Sequence, residues 1–599
     1  MQELLILKNI PDFELAREQR LLEGRTAIAV AFDVQYKMER EGYPSNPIWE
    51  YSKDDELMEV LNSDSEVIKS LWFDFLKKTR FEEYSRVMLF QLILFVDEVL
   101  ASEFYVRRVL EIESPAAVLN FADKKSVCVE RNFKSTVFDD VLETMCARHG
   151  IQYKNLARPG VQTEQLDDRV PVWSATLKFS QYVVQSLLSV VFLPIVVVVS
   201  LFSRSRIGIS YLPPVEEKLR FKWFLKRSKQ DFGVRVWPST HVMLRYFSTR
   251  LVLAWMTFKA GRQTAKEFAP LFARFAECRK TSSARPAILA DPGLDFYWDH
   301  LLQSLVGAVA IEKMAVKLHK LFFKPQYAFF SIPHYPHTIA RQILLRKCGV
   351  KTFLLPHSTF PYKHKDLYDP YDHLLVTGPY QQRLFEKLGI DENKLFIVED
   401  GYRIVTKGNE PEAEVRKRYS LTAEKIITVV TSDIQSSAGY FPKWEFKVSP
   451  SKTFGFLKAI SQLGSISEDY DVVIKSHPYS DYYQLYGLLA SGNIRHLSKV
   501  PISDIIAISD LIVIIAPHSD AIFEAAIAQK PIVYCSASPR EDFLDELRNG
   551  LIVVDDPEKL CRVVKDIINN KLGVPKSAAL VDAFLTYRES HRKGMTIKA

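Results

Sequence analysis

Three short runs hold the side chains best suited to chemistry. Lys475, His477 and Pro478 close an apolar run, "DVVIKSHP". Ser519 and Asp520 follow a second, "LIVIIAPHS", and open "DAIFEAAIAQ", which carries Glu524. Ser432 ends a third, "IITVVTSD". Lysine brings a cation, histidine and serine bring donors, and a carboxylate accepts from hydroxyls. A helix opening at Ser519-Asp520 adds unpaired N–H groups and positive partial charge, which suits phosphate; the same two residues are also ordinary caps. The set suits a nucleotide mono- or diphosphate ester, with Glu524 accepting from ribose hydroxyls. The chain has neither G-x-x-x-x-G-K-[ST] nor G-x-G-x-x-G, which weakens the ATPase and dinucleotide readings.

These side chains share one rim only if the runs they end are neighbouring parallel strands, because ligands bind outside the carboxyl ends of such strands. The surrounding pattern predicts that arrangement. Strand-like and helix-like stretches alternate from "IITVVTSD" through "FGFLKAISQL", "DVVIKSHP", "LIVIIAPHS" and "PIVYCS" to "PEKLCRVVKDIINNKL". Alternation of this kind means a parallel sheet with helices on its faces. It also occurs earlier, from "YAFFSIP" to "KLFIVEDG", and near the start, from "LLILKN" to "IQYKNL". Five regions result: an N-terminal α/β region at 1–162, an insertion at 163–260, an α/β unit at 261–420, a second at 421–575 and a tail at 576–599.

With 599 residues, several such units are expected. A net charge of +7 on a chain this long fits an anionic ligand or membrane surface without requiring nucleic acid. The cysteines, at 128, 146, 278, 348, 535 and 561, form no C-x-x-C pair. Their scatter argues for a reducing compartment and against a disulfide frame or zinc site. The N-terminal run is too short and lacks a basic start for a signal peptide, so a cytoplasmic protein is expected. Residues 183–202, "VVQSLLSVVFLPIVVVVSLF", carry no charge and match the length that crosses a bilayer. They read as a re-entrant or interfacial segment on the inner membrane, or as buried core. The basic "EEKLRFKWFLKRSKQ" lies downstream in the same region.

The order "HSTF…HLLVTGPYQQRLFEKLGIDENKLFIVEDGYR", "VVIKSHP", "PISDIIAISDLIVIIAPHSDAIFEAAIAQKPIVY" resembles bacterial glycosyltransferases of the B fold (GT-B) over roughly residues 325–540. More narrowly, it is similar to capsule and surface-polysaccharide enzymes that transfer Kdo, sialic acid or glycerophosphate. The resemblance implies an α/β protein with two Rossmann-like domains, 261–420 for the acceptor and 421–575 for the nucleotide sugar. It implies a CMP-linked donor, inversion, no cofactor and no metal. It carries a catalytic carboxylate onto Glu399-Asp400-Gly401 and a phosphate contact onto His477-Pro478. Glu399 and Asp400 equally suit an interdomain hinge. The acceptor would be a glycan or a lipid-linked sugar.

His357, in "LLPHST", is a second candidate base or a capping histidine. Histidines 334, 337, 357, 364 and 373 cluster in sequence, but only "HYPH" has ligand-like spacing, so a substrate-facing loop is expected rather than a metal site. Competing functions are a CDP-glycerol or CDP-ribitol polyol-phosphate transferase and a noncatalytic scaffold of polysaccharide assembly. A nucleotide-sugar 2-epimerase lacks its T-x-H-R-x-E-N stretch here.

Overall fold

The computed structural model describes residues 2–122, 136–156, 207–209, 236–237, 266–281, 287–322, 326–330, 335–356, 364–376, 378–397, 411–431, 449–464, 469–476, 483–490, 492–498, 500–515, 519–537, 547 and 550–573. They form three parallel sheets with helices between them.

The first sheet contains β1 (Glu3–Leu7), β2 (Thr26–Ala29), β3 (Asn46–Pro47), β4 (Ala117–Asn120) and β5 (Gln152–Asn155), in the order β3-β2-β1-β4-β5. The inner strands β1, β2 and β4 are covered on both faces, so they read as apolar runs rather than as alternating ones. Leu4, Ile6, Ile28 and Val118 share one core, and Leu5, Leu7, Ala27, Ala29 and Leu119 share another. Helices α1 (Ile10–Glu18) and α2 (Phe32–Arg40) cover the second core through Phe13, Val34 and Met38. Helix α3 (Leu89–Glu113) lies in the first core and is buried around most of its circumference, as an all-round apolar helix must be. Helix α4 (Val137–Arg148) follows β4.

The second sheet runs β11-β10-β9-β8-β6-β7. Its strands are β6 (Ile207–Ile209), β7 (Val236–Trp237), β8 (Tyr327–Phe330), β9 (Lys351–Leu354), β10 (His373–Val376) and β11 (Leu395–Ile397). The region expected to be an insertion, 163–260, thus supplies two strands to this sheet. Helix α5 (Asp295–Phe322) leads into β8; α6 (Pro336–Lys347) and α7 (Pro379–Lys387) follow β8 and β10. Residues 183–202 lie outside the described residues. Among the described residues no helix is long and apolar enough to cross a membrane.

The third sheet runs β14-β13-β12-β15-β16-β17. It contains β12 (Lys425–Thr431), β13 (Tyr470–Ser476), β14 (Ile494–Leu497), β15 (Leu511–Ile514), β16 (Ile532–Cys535) and β17 (Ile552–Val554). Helices α8 (Pro450–Leu463), α9 (Tyr483–Leu489) and α10 (Ala521–Ile527) link successive strands. Strand order reverses between β12 and β15, the switch point at which such sheets open a crevice.

Three sets of contacts fasten the sheets together. Phe32 of α2 and Trp49 pack on Phe454 of α8, with ring centroids 5.6 and 5.4 Å from it. Lys458 of α8 pairs with Glu39 at 2.7 Å, and Arg40 donates to the Leu488 carbonyl of α9. Arg86 reaches Asp366 at 3.0 Å, tying the α3 side to the second sheet. Finally, Tyr380 of α7 packs against Phe523 of α10 at 5.6 Å, both nearly fully buried. Among the described residues no two cysteines form a disulfide.

Candidate active site

The strands whose ends carry the candidate residues are neighbours. Strand β12 pairs with β13 on one side and β15 on the other. Val430 lies opposite both Lys475 and Ile514, and Thr431 lies opposite Ser476. Lys475, Ser519, Asp520 and Glu524 therefore belong to one carboxyl rim. Ser432, His477, Pro478, His357, Glu399 and Asp400 lie outside the described residues.

Lys475 does not stand open at the rim. It is buried, and its ammonium donates to the carbonyls of Ser476, at 2.6 Å, and Ser498, at 3.1 Å. Alternation along β13 places it on the face of Val473, and there it ties β13 to the turn after β14. Its charge is a fixed positive charge behind the rim rather than a swinging arm. Ser476 points to the other face, where its hydroxyl lies 2.9 Å from Nε2 of His496. Burial, and then the Lys475 charge, hold His496 below the usual imidazole range, so it is neutral at pH 7. His496 escaped the sequence reading because "IRHL" is a short, half-exposed strand.

Ser519 accepts from the Ala521 N–H at 3.3 Å, a local turn at the start of α10. Glu524, in the same helix, is 6% exposed. Thr431, at the end of β12, is fully enclosed, and its Oγ1 has no hydrogen-bond partner among the described residues. A buried hydroxyl without a partner is unusual, and this one lies at the switch point.

The rims of the second and third sheets meet. Helix α7 starts just past the carboxyl end of β10 and α10 just past that of β15. Contact between Tyr380 and Phe523, each in the first turn of its helix, brings those two rims together. The histidines disperse. His337 sits at the start of α6, on the rim of the second sheet. His364 lies 3.2 Å from Asp64, and His373, at the opposite end of β10, is flanked by Phe353 and Phe396. His334 is outside the described residues. Among the described residues no three His, Cys, Asp or Glu side chains are placed to hold a metal ion.

A second polar cluster, which the sequence reading missed, fills the switch point of the first sheet. Lys8, just past β1, places its ammonium 2.6 and 2.7 Å from the two carboxylate oxygens of Asp139 on α4. Asn120, ending β4, donates to Asp139 and to the Tyr153 hydroxyl. Tyr297 of α5 donates to Asp140 at 2.5 Å and accepts from Thr136 at 2.6 Å. Glu98 of α3 is buried beside them, and its Oε1 has no partner among the described residues. Burial, reinforced by the Asp139 charge, drives the Glu98 pKa well above the ordinary carboxylate value and favours its neutral form. The available signal was the one used for the third sheet: a polar residue, Lys8 or Asn120, ending an apolar strand.

No family model matches the chain, and no curated protein matches it. Three solved structures illustrate what it is similar to. A Methanocaldococcus jannaschii UDP-GlcNAc 2-epimerase, in complex with UDP-GlcNAc and UDP, is 17% identical over 48% of this chain and 82% of its own, with a TM-score of 0.32. A Rickettsia bellii UDP-N-acetylglucosamine 2-epimerase is 13% identical over 46% of this chain and 74% of its own, with a TM-score of 0.33. The Anabaena protein HepE, in complex with UDP and glucose, is 13% identical over 45% of this chain and 76% of its own, with a TM-score of 0.32. Each likeness is partial and concerns the fold.

Proposed function

We propose that the chain is a nucleotide-sugar enzyme, and specifically a glycosyltransferase that moves a sugar to a glycan or lipid-linked acceptor. The meeting of two carboxyl rims across Tyr380 and Phe523 carries this reading. In this reading the third sheet offers the nucleotide side and the second sheet the acceptor side. On the nucleotide side, the buried Thr431 hydroxyl and the rim residues Ser432, His477, Ser519 and Glu524 would take the phosphate and ribose. Lys475 would supply fixed positive charge from behind, favouring the departing phosphate. On the acceptor side a base would take the hydroxyl proton, a role for which the sequence pattern offers His357, Glu399 and Asp400. A single displacement would invert the anomeric carbon. A CMP-linked Kdo or nonulosonic acid is the donor we favour. We place the enzyme in the cytoplasm, with residues 183–202 at the inner membrane surface beside a lipid-linked acceptor.

The experiment is a thermal-shift screen against CMP, CDP, UDP and GDP. A rise in midpoint with CMP alone supports the donor class named here. A response to UDP alone removes the cytidine reading, and no response to any of the four removes nucleotide-sugar chemistry. A scaffold without catalysis is the second reading. The observation favouring it is Lys475, whose bonds to two backbone carbonyls are those of a structural strand end.

A further inference from the structure

Helix α6 opens on the rim of the second sheet and presents two residues one turn apart, His337 and Arg341, to the same partner. That partner is Glu312 of α5, whose side chain is 2% exposed. Arg341 grips it with two bonds, Nε to Oε2 at 2.6 Å and Nη2 to Oε1 at 2.9 Å. The His337 Nδ1 lies 3.4 Å from the same Oε1, while 54% of the His337 side chain is exposed. A buried carboxylate fixed by a guanidinium and facing one nitrogen of an exposed imidazole is how an orienting acid and a base are arranged. The distance is long for a hydrogen bond, as such contacts often are before substrate binds. Glu312 remains ionised: although burial opposes charge, the Arg341 charge and the His337 and Arg341 hydrogen bonds bring its pKa down to about 2.

We propose that His337 is the general base of the acceptor side, held in its Nδ1–H form by Glu312. This rests on the transfer reading above and gives the base a residue that the sequence pattern did not select. In the step, Nε2 takes the proton of the acceptor hydroxyl. The oxygen forms a bond to the anomeric carbon of the nucleotide-activated sugar. The bond from that carbon to the phosphate oxygen breaks, and its electron pair leaves with the nucleotide. Glu312 balances the imidazolium that results. The site lies beside β9, which pairs with β8 through Phe330 and Leu354, so the histidine and the end of the neighbouring strand share a rim.

Two measurements on the full chain test it. The first needs no substrate: nitrogen NMR of histidine-labelled protein at pH 7.5, with the His337 signal assigned by its loss in His337→Gln. The Nδ1–H tautomer is expected. A dominant Nε2–H tautomer overturns the proposal, because Nε2 then has no lone pair to accept a proton. The second is nucleotide release from CMP- and UDP-linked sugars by wild type, His337→Gln and His357→Gln. A fall of about 100-fold or more in His337→Gln, with the nucleotide-induced thermal shift unchanged, is expected for a lost base. Wild-type rates in His337→Gln overturn the base and leave the nucleotide reading standing. Absence of any nucleotide-induced shift in the wild type overturns both.

Discussion

Replacing Lys8 by Met tests whether the buried cluster of the first sheet holds that unit together. The Lys8 side chain is 0% exposed and that of Asp139 5%, so the pair is shielded from solvent on both sides. Methionine fills much of the lysine volume and removes only the charge. Asp139 then keeps the Asn120 bond but loses the Lys8 ammonium, next to Glu98, whose neutral form burial favours. Breaking a buried ion pair by removing one member costs about 3–5 kcal/mol. Asp139→Asn removes the other charge of the same pair and costs a comparable amount. The double variant, with neither charge, recovers most of the loss, so the two effects fall short of additivity by about 2 kcal/mol or more. A chain of three sheets does not unfold in two states. The readout is therefore the midpoint of the thermal transition that includes the N-terminal unit, followed by calorimetry. For a unit of this size each kcal/mol moves the midpoint by about 2–4 °C, which gives a drop of roughly 6–20 °C for Lys8→Met. A drop below about 2 °C, or strict additivity in the double variant, would refute the claim that this ion pair supports the fold.

Glu312 and Glu98 should give opposite pH signatures. The folded pKa of Glu312, about 2, lies below the ordinary 4.5, so its contribution is present above that value and is lost as pH falls towards 2. The difference corresponds to about 3 kcal/mol, and thermal midpoints of Glu312→Gln measured between pH 5 and 2.5 should lack that slope. The folded pKa of Glu98 is raised, so its contribution is present at low pH and is lost as pH rises; Glu98→Gln should gain on wild type in thermal midpoint at pH 8. Thr431→Val removes a buried hydroxyl that has no partner among the described residues, so it should stabilise the empty protein by about 1 kcal/mol while reducing the nucleotide-induced thermal shift. Phe523→Ala should cost about 3–5 kcal/mol and split the calorimetric trace, because Phe523 joins the second sheet to the third.

Much of the secondary structure was legible because doubly covered strands are unbroken apolar runs and their helices carry a different period. "DVVIKSHP" became β13 and "PHTIARQILLRKCG" became α6. Short strands with few apolar residues, such as β14, and strands distant from their sheet, such as β6 and β7, left too weak a periodicity to read. The polar ends of β12 and β13, at Thr431 and Ser476, were also legible, because a polar residue ending a buried strand is conspicuous on a local scale.

By itself, then, the sequence determined the class of architecture and which strand ends carry polar groups: both follow from which side chains must leave water along a few consecutive residues. Tertiary structure alone decided what those groups face. It turned the Lys475 ammonium inward to Ser476 and Ser498, set Lys8 against Asp139 across 131 residues of chain, and laid Tyr297 against Asp140 across 157. It placed His337 in front of Glu312 and joined two rims through Tyr380 and Phe523. No local pattern encodes such meetings, because hydrogen bonds and charge pairs act over a few ångströms in space, whatever the distance along the chain.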